Sequence, residues 1–595
     1  MSLDMSRTTR PETLRVGNCS GFYGDRLAAM REMLDGGELD VLTGDYLAEL
    51  TMLILGRDRA KDPSTGYART FLVQLRDCLR LALDRGVRIV ANAGGVNPPG
   101  LVAAIRELGL PATIALVRGD DLTARSGVLG LGAPLGAHAY LGAFGIARAL
   151  RAGADVVVTG RVTDASLVIG PAVACFGWGR TDFDALAGAT VAGHVLECGA
   201  QATGGNYPFF GEIPDLVRPG FPIAEIRRDG SSVITKHPGT PGAVTVGTVT
   251  AQLVYEVDGA RYAGPDVTTR LDTISLRQAG PDRVEITGVR GEPPPPELKV
   301  SCTSIGGYRN ELTVVLTGLD VEAKAELFRR QFEAACPTKP AEVRWSTARL
   351  DIPDAPTQQQ ASALLTVVAR DPDQEVVGRA FTGAAVEVAL ACYPGFFSTT
   401  PPGRAHPYGV FTAGYVPQAV AAHEVVLDDG AVETIDPPPV TRPLEPVPLP
   451  GPAPVPPPGP ALGDWGPGRR LPLGTLAGAR SGDKGGNANV GLWVRDDAAY
   501  PWLAALITEE TVRRLLPEAA ALPVRVTRLP NIRAVNVVVE GILGAGAAYQ
   551  ARFDPQAKGL GEWLRSRHVT IPESLLPEPP RPDSEPAAQP VEGES

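Results

Sequence analysis

The chain has 595 residues, more than one compact domain of roughly 100–200 residues can hold. Its 44% hydrophobic and 21% charged residues are globular values, so wholesale disorder and fibrous architectures are excluded. A net charge of −11 runs against nucleic-acid binding, which calls for surplus cations on the protein.

The seven cysteines contain no CxxC pair and no zinc-like grouping with histidine, which reads as reduced thiols in a cytoplasmic protein. No uncharged apolar run reaches the roughly 18 residues of a membrane span, and the N-terminus lacks the apolar stretch of a secretory signal. Residues Met1–Arg10 read as a flexible leader. Arginine so dominates the cations that only seven lysines remain, and each of them merits a look. Glycine (68) and proline (56) are in excess, and their placement separates loops from linkers.

Over residues 11–222, short apolar strands end in Gly/polar loops and amphipathic helices follow, the pattern of an α/β lobe with a parallel sheet. Leu14–Val16 leads into Gly17, Asn18, Cys19, Ser20 and Gly21. Leu39–Leu42 leads to Asp45, and Val87–Ala91 to Asn92, Gly94, Gly95 and Asn97. Asp155–Thr159 leads to Gly160, Arg161 and Asp164. The spacing of Leu72, Leu75, Leu79 and Leu83 predicts a helix closed by Gly86. Ligands of such sheets bind beyond the carboxyl ends of the strands, where these loops fall.

Residues 223–436 read as a second, α+β lobe. Strand-like alternation occurs in AVTVGTVTAQLVYEV, LTVVLTG, LLTVVAR and VEVALACY, with a helix at Val321–Ala335. From Pro437 to Pro460 more than half of the residues are proline, so residues 437–470 read as an extended spacer. Residues 471–576 have the pattern of a small ferredoxin-like α/β sandwich. Residues 577–595 read as a disordered acidic tail.

No Walker, HExxH or strand-borne GxGxxG motif occurs. Gly17-Asn18-Cys19-Ser20-Gly21 has the spacing of a nucleophile elbow with Cys19 at the reactive place, or is a Gly-rich loop whose amides bind an anion or carbonyl. Arg161 can grip a carboxylate or phosphate, and Asp164 is either a general base or a helix cap. Gly94, Gly95 and Asn97 either approach a ligand closely or shape a turn. Lys236 and His237 are candidates for anion binding and acid/base work, and His194 for substrate binding, against structural roles for each. Ser481, Asp483, Lys484 and Asn487 form a polar loop facing a ligand or an interface, or a hairpin turn.

Together these motifs resemble the acyclic terpene utilisation (AtuA-like) family. The resemblance rests on GNCSGFYGDR, LTGDYLAELTM, ANAGGVNP, ADVVVTGRVTDASL, TKHPGTPGAVTVGTVTAQLVYEV, GGYRNELTVVLTGL and SGDKGGNANVGL. It covers roughly Leu14–Asp436 and Leu471–Leu576. It implies catabolism through coenzyme A thioesters, with cleavage of a branched 3-hydroxyglutaryl-type thioester and release of an acetyl unit; with the residues above, the expectation is a lyase or hydratase acting on a branched 3-hydroxyacyl or glutaryl-type thioester or small carboxylate. The same resemblance gives the C-terminal module its ferredoxin-like fold. Arg161, Asp164, Lys236 and His237 are the candidate catalytic groups. No metal site is assigned, although a divalent ion on Asp25, Asp45 and Asp164 is one way to supply an electrophile. The alternatives are a substrate-binding or scaffolding subunit and a Cys-dependent hydrolase. The expected partners are a small-molecule substrate and further copies of the chain, not nucleic acid or membrane.

Overall fold

The computed structural model describes residues 12–444 and 465–576. The predicted leader, the tail at 577–595 and most of the proline spacer lie outside the described residues. Runs of β-branched residues buried on both faces form the centre of an eleven-stranded sheet. Thr13–Asn18, Val41–Gly44, Arg88–Ala91, Val156–Thr159 and Ile114–Arg118 lie side by side in that order, all parallel. Helix Arg69–Arg85 packs Phe71, Leu75, Cys78 and Leu79 inward and stops at Gly86, whose φ of 68° suits a left-handed cap. Helices Ser166–Phe176 and Phe183–Leu196 are apolar nearly all round and almost wholly buried.

The expected division at 222/223 falls inside this sheet. Pro222–Arg227 pairs antiparallel with Thr13–Asn18, followed by Ser232–Lys236 and the Arg283–Thr287 and Ser275–Gly280 pair. Glu424–Val426 and Val432–Thr434 extend the opposite edge. A second sheet is built on Glu297–Thr317, a strand of 21 residues that pairs with Ser362–Asp371, His406–Pro417 and Gly136–Ala139. That last pairing ties the second sheet to the first lobe beside the strand-end loops.

Two strand expectations become helices. In AVTVGTVTAQLVYEV, residues Val246–Leu253 are helical behind a Thr245/Thr248 capping box. The cap and the burial of Val249, Ala251 and Leu253 outweigh the β-branched alternation. In VEVALACY, the helix Phe381–Glu387 continues through a turn at Val388–Leu390, and the alternating Val386 and Leu390 are exposed.

The C-terminal module is an antiparallel sheet in the order Ala477–Lys484, Asn487–Val494, Ala534–Val539, Val524–Leu529. The polar segment Arg480–Asn487 is therefore two strand ends joined at Gly485–Gly486. Trp502, Leu503 and Leu564 cover one face of this sheet. The other face lies against the body. Trp493 is 2% exposed and stacks near Tyr207, Gly491 packs on Val254, and Asn531 donates to Leu271 and Ile274 carbonyls. The module is thus docked, not held at a distance as the spacer suggested. The start of the spacer also lies on the body, with Arg442 N donating to Pro294 O at 2.8 Å. No helix among the described residues is long and apolar enough to cross a membrane.

Docking of this kind does not need the spacer. After protease cleavage engineered within residues 445–464, the two pieces co-elute on gel filtration. Asn489→Leu orphans the Glu256 amide and the Val254 carbonyl, at about 1–3 kcal/mol each, and releases the module from the cut protein. Separation of the unmutated pieces contradicts the docked arrangement.

Candidate active site between the body and the C-terminal module

The carboxyl ends of the parallel strands, the second sheet and the C-terminal hairpin meet at one polar cluster. Asp45 follows Val41–Gly44 and is 5% exposed. Its Oδ1 accepts from Asn92 Nδ2 at 2.6 Å, and Asn92 Oδ1 accepts from Tyr46 N at 2.7 Å. Arg161 follows Val156–Thr159, held by its amide donating to Asp120 Oδ2 at 2.9 Å. Its guanidinium lies 4.3 Å over the Tyr140 ring and 3.0 Å from Asp164 Oδ1.

Lys299, on the second sheet, faces the same space. Its ammonium stands 5.0 Å over Tyr140 and 5.5 Å over Phe411, with Glu49 Oε1 at 3.8 Å. Among the described residues it has no hydrogen-bond acceptor. Glu49 opens helix Glu49–Lys61. Burial pushes its carboxyl up to about 7, against the opposing pull of Lys299, with Asp483 and Glu256 adding to the rise. Burial likewise raises Asp45 and Asp164.

The far wall comes from the module and from the segment beneath it. Lys558 donates to the Tyr255 hydroxyl and lies 3.3 Å from both Glu256 Oε1 and Asp483 Oδ1. Lys484 donates to Glu256 O at 3.0 Å, lies 3.6 Å from Asp258 Oδ2 and sits 5.8 Å over Tyr262. His194 is 4% exposed; its Nδ1 is 3.0 Å from Glu197 Oε1, and its ring is 5.2 Å from that of Tyr262. The carboxylate of Glu197 pushes the imidazole up despite its burial.

The structure brings Asp45, Asn92, Arg161, Asp164, His194, Asp483 and Lys484 together, and leaves other candidates in local roles. Gly17–Gly21 packs against the site wall, where a Cβ on Gly21 would lie 2.7 Å from the Cys198 carbonyl carbon. Its polar groups are committed, however. Asn18 Oδ1 accepts from Ser20 N, Ser20 Oγ donates to Phe22 O, and Gly21 N donates to Asp25. Cys19 is 1% exposed, and burial pushes its thiol far up, so a thiolate nucleophile is disfavoured. Gly94 N donates to Thr159 O, and Asn97 caps helix Pro98–Arg106. Gly160 leaves room for the Asp120 carboxylate. Lys236 pairs with Asp282 at 3.0 Å, and His237 Nε2 lies 2.9 Å from Met33 O, each engaged outside the cluster. Ser481 bonds the Ala557 carbonyl and the Gly561 amide, and Asn487 bonds Gly541 N. Among the described residues no three His, Cys, Asp or Glu side chains gather to hold a metal ion, and Asp25 is spent on its own loop.

Glu49, Tyr140, Glu197, Glu256, Tyr262, Lys299 and Lys558 were missed. The scarcity of lysine is a usable signal for Lys299 and Lys558, whereas nothing in the sequence sets Glu49 apart, since an acidic residue in the first turn of a helix is common.

Glu49 ties stability to pH. The unfolded carboxyl ionises near 4.5 and the folded one near 7, so the unfolded state releases its proton first. Stability therefore falls as pH rises between those values, and the raised Asp45 and Asp164 act in the same direction. Thermal melts from pH 4.5 to 8 show a shallower decline for Glu49→Gln than for the parent. An unchanged slope contradicts the shift.

No curated protein matches the chain. The profile of the acyclic terpene utilisation family protein AtuA matches residues 14–427, and that of the AtuA ferredoxin-like domain matches residues 471–570. The chain belongs to the acyclic terpene utilisation family.

Proposed function

We propose that the chain is an enzyme of acyl-CoA or terpenoid-type catabolism, a lyase or hydratase acting on a branched 3-hydroxyacyl or glutaryl-type thioester or small carboxylate. One observation carries the reading: the Lys299 ammonium, lacking a hydrogen-bond acceptor among the described residues, stands 3.8 Å from a carboxyl that titrates near 7. Both reactions develop negative charge on a carbonyl oxygen, and a cation in a partly dry site stabilises it. Lys299, with Arg161 over the same Tyr140 ring, is that cation. Glu49 holds or accepts the proton of the carbon beside the carbonyl, because its proton is nearly balanced at neutral pH. In cleavage the electron pair of the broken carbon–carbon bond becomes the enolate, and Glu49 then protonates it. In dehydration Glu49 removes that carbon's proton as the hydroxyl leaves.

The test is turnover of 3-hydroxyacyl-CoA and 3-hydroxyglutaryl-type CoA esters by the purified chain, followed by thioester absorbance and product mass. Lys299→Met lowers kcat/KM by roughly 10²–10³, the usual loss for a removed oxyanion-stabilising group. Cys19→Ser retains activity. Absence of turnover across the panel, with binding intact, favours the non-catalytic binding subunit instead.

A further inference from the structure

Buried polar atoms in folded proteins almost always have hydrogen-bond partners, so a group of orphans marks a place where something else belongs. Four such atoms fall in one neighbourhood: Asp164 Oδ1, both ring nitrogens of His194, and Glu197 Oε2. The chain builds this neighbourhood by close helix packing. His194 lies on Phe183–Leu196 and Asp164 precedes Ser166–Phe176. At Gly193 a Cβ would meet Ala165 Cα at 2.8 Å, which draws the two helices together beside Asp164. Glu197 follows Phe183–Leu196 as its C-cap residue. Arg161 lies 3.0 Å from Asp164 Oδ1 and Glu197 Oε1 lies 3.0 Å from His194 Nδ1, which leaves His194 Nε2 and Glu197 Oε2 as the atoms with no partner among the described residues.

Two carboxylates and an imidazole complement a hydroxyl group, which donates one hydrogen bond and accepts another. An anion fits poorly there, because it would face Asp164 and Glu197 together. A bare ammonium only donates, so it could not accept from the imidazole N–H as a hydroxyl oxygen can.

We infer that Asp164, His194 and Glu197 form a subsite for the substrate's hydroxyl, with His194 exchanging the hydroxyl proton. The inference rests on the reading above, in which Lys299 and Glu49 serve the carbonyl end. In cleavage, neutral His194 takes the O–H proton while the carbon–carbon bond breaks and its electron pair moves to the enolate. In dehydration, protonated His194 gives its proton to the departing hydroxyl, which leaves as water.

Calorimetric titration of the full chain with 3-hydroxyglutaryl-CoA and glutaryl-CoA, and with the two free diacids, tests the subsite. The parent binds the hydroxylated member of a pair about tenfold or more tightly, since hydrogen bonds to charged groups are lost with the hydroxyl. His194→Gln and the near-isosteric Glu197→Gln both bring the ratio to about one and leave the affinity for the deoxy member unchanged. Equal affinities in the parent, or a preference that survives both substitutions, overturn the hydroxyl subsite but not the Lys299 reading. Failure of either pair to bind overturns both.

Discussion

Two asparagines on the face of the C-terminal sheet hold the turn on which the site depends. Asn489 and Asn536 are fully buried. Asn489 accepts from Glu256 N at 2.7 Å and donates to Val254 O at 3.2 Å, and Asn536 donates to Val257 O at 3.0 Å. Backbone groups shut away from water need such partners or cost several kcal/mol. The same bonds fix Glu256 in a left-handed conformation, φ 55°, and direct its carboxylate to Lys558. Gly482 and Gly491 make the approach feasible, because a Cβ at either would meet Tyr255 or Val254 within 2.5 Å. Docking of the module and assembly of the second wall are therefore one event.

The site that results is rich in carboxyls, several of them buried. Asp45, Glu49, Asp164 and Glu197 are all pushed up by burial; Arg161 and Lys299 offset part of that cost for the first three, and His194 does so for Glu197. Groups held in this balance change protonation easily, which is the property proton-transfer chemistry requires. Elsewhere the balance tips the other way: Glu292, paired with Arg261 and Arg270, is held below the ordinary carboxylate value despite its partial burial.

Much of the first lobe was legible in the sequence because its signals are local. A clean apolar strand such as Val156–Thr159 and the loop after it announce themselves within about ten residues. Arg161, Asp164 and Asp45 stand in loops of that kind. Glycine was harder to read. Gly94, Gly95 and Gly160 sit at strand ends as expected, yet their space is taken by the chain's own atoms. The groups that complete the site are separated by hundreds of residues. Glu49 and Lys299 meet only because a long strand of the second sheet pairs with Gly136–Ala139. Lys558 meets Glu256 only through docking. The proline spacer pointed away from that docking, since composition reports the stiffness of a connection and not where its end returns. In Val246–Leu253 the alternation of Val and Thr masks the four-residue capping box Thr245–Thr248.

Body and module share one electrostatic site. Its most direct measurement is the pH titration of the Glu49 carboxyl by infrared difference spectroscopy, with Glu49→Gln as the blank. Asp483, from the module, raises the Glu49 carboxyl across the interface. Removing its charge in Asp483→Asn must move the Glu49 midpoint from near 7 to a lower pH. A midpoint that stays in place in Asp483→Asn would show that the two parts do not form one site.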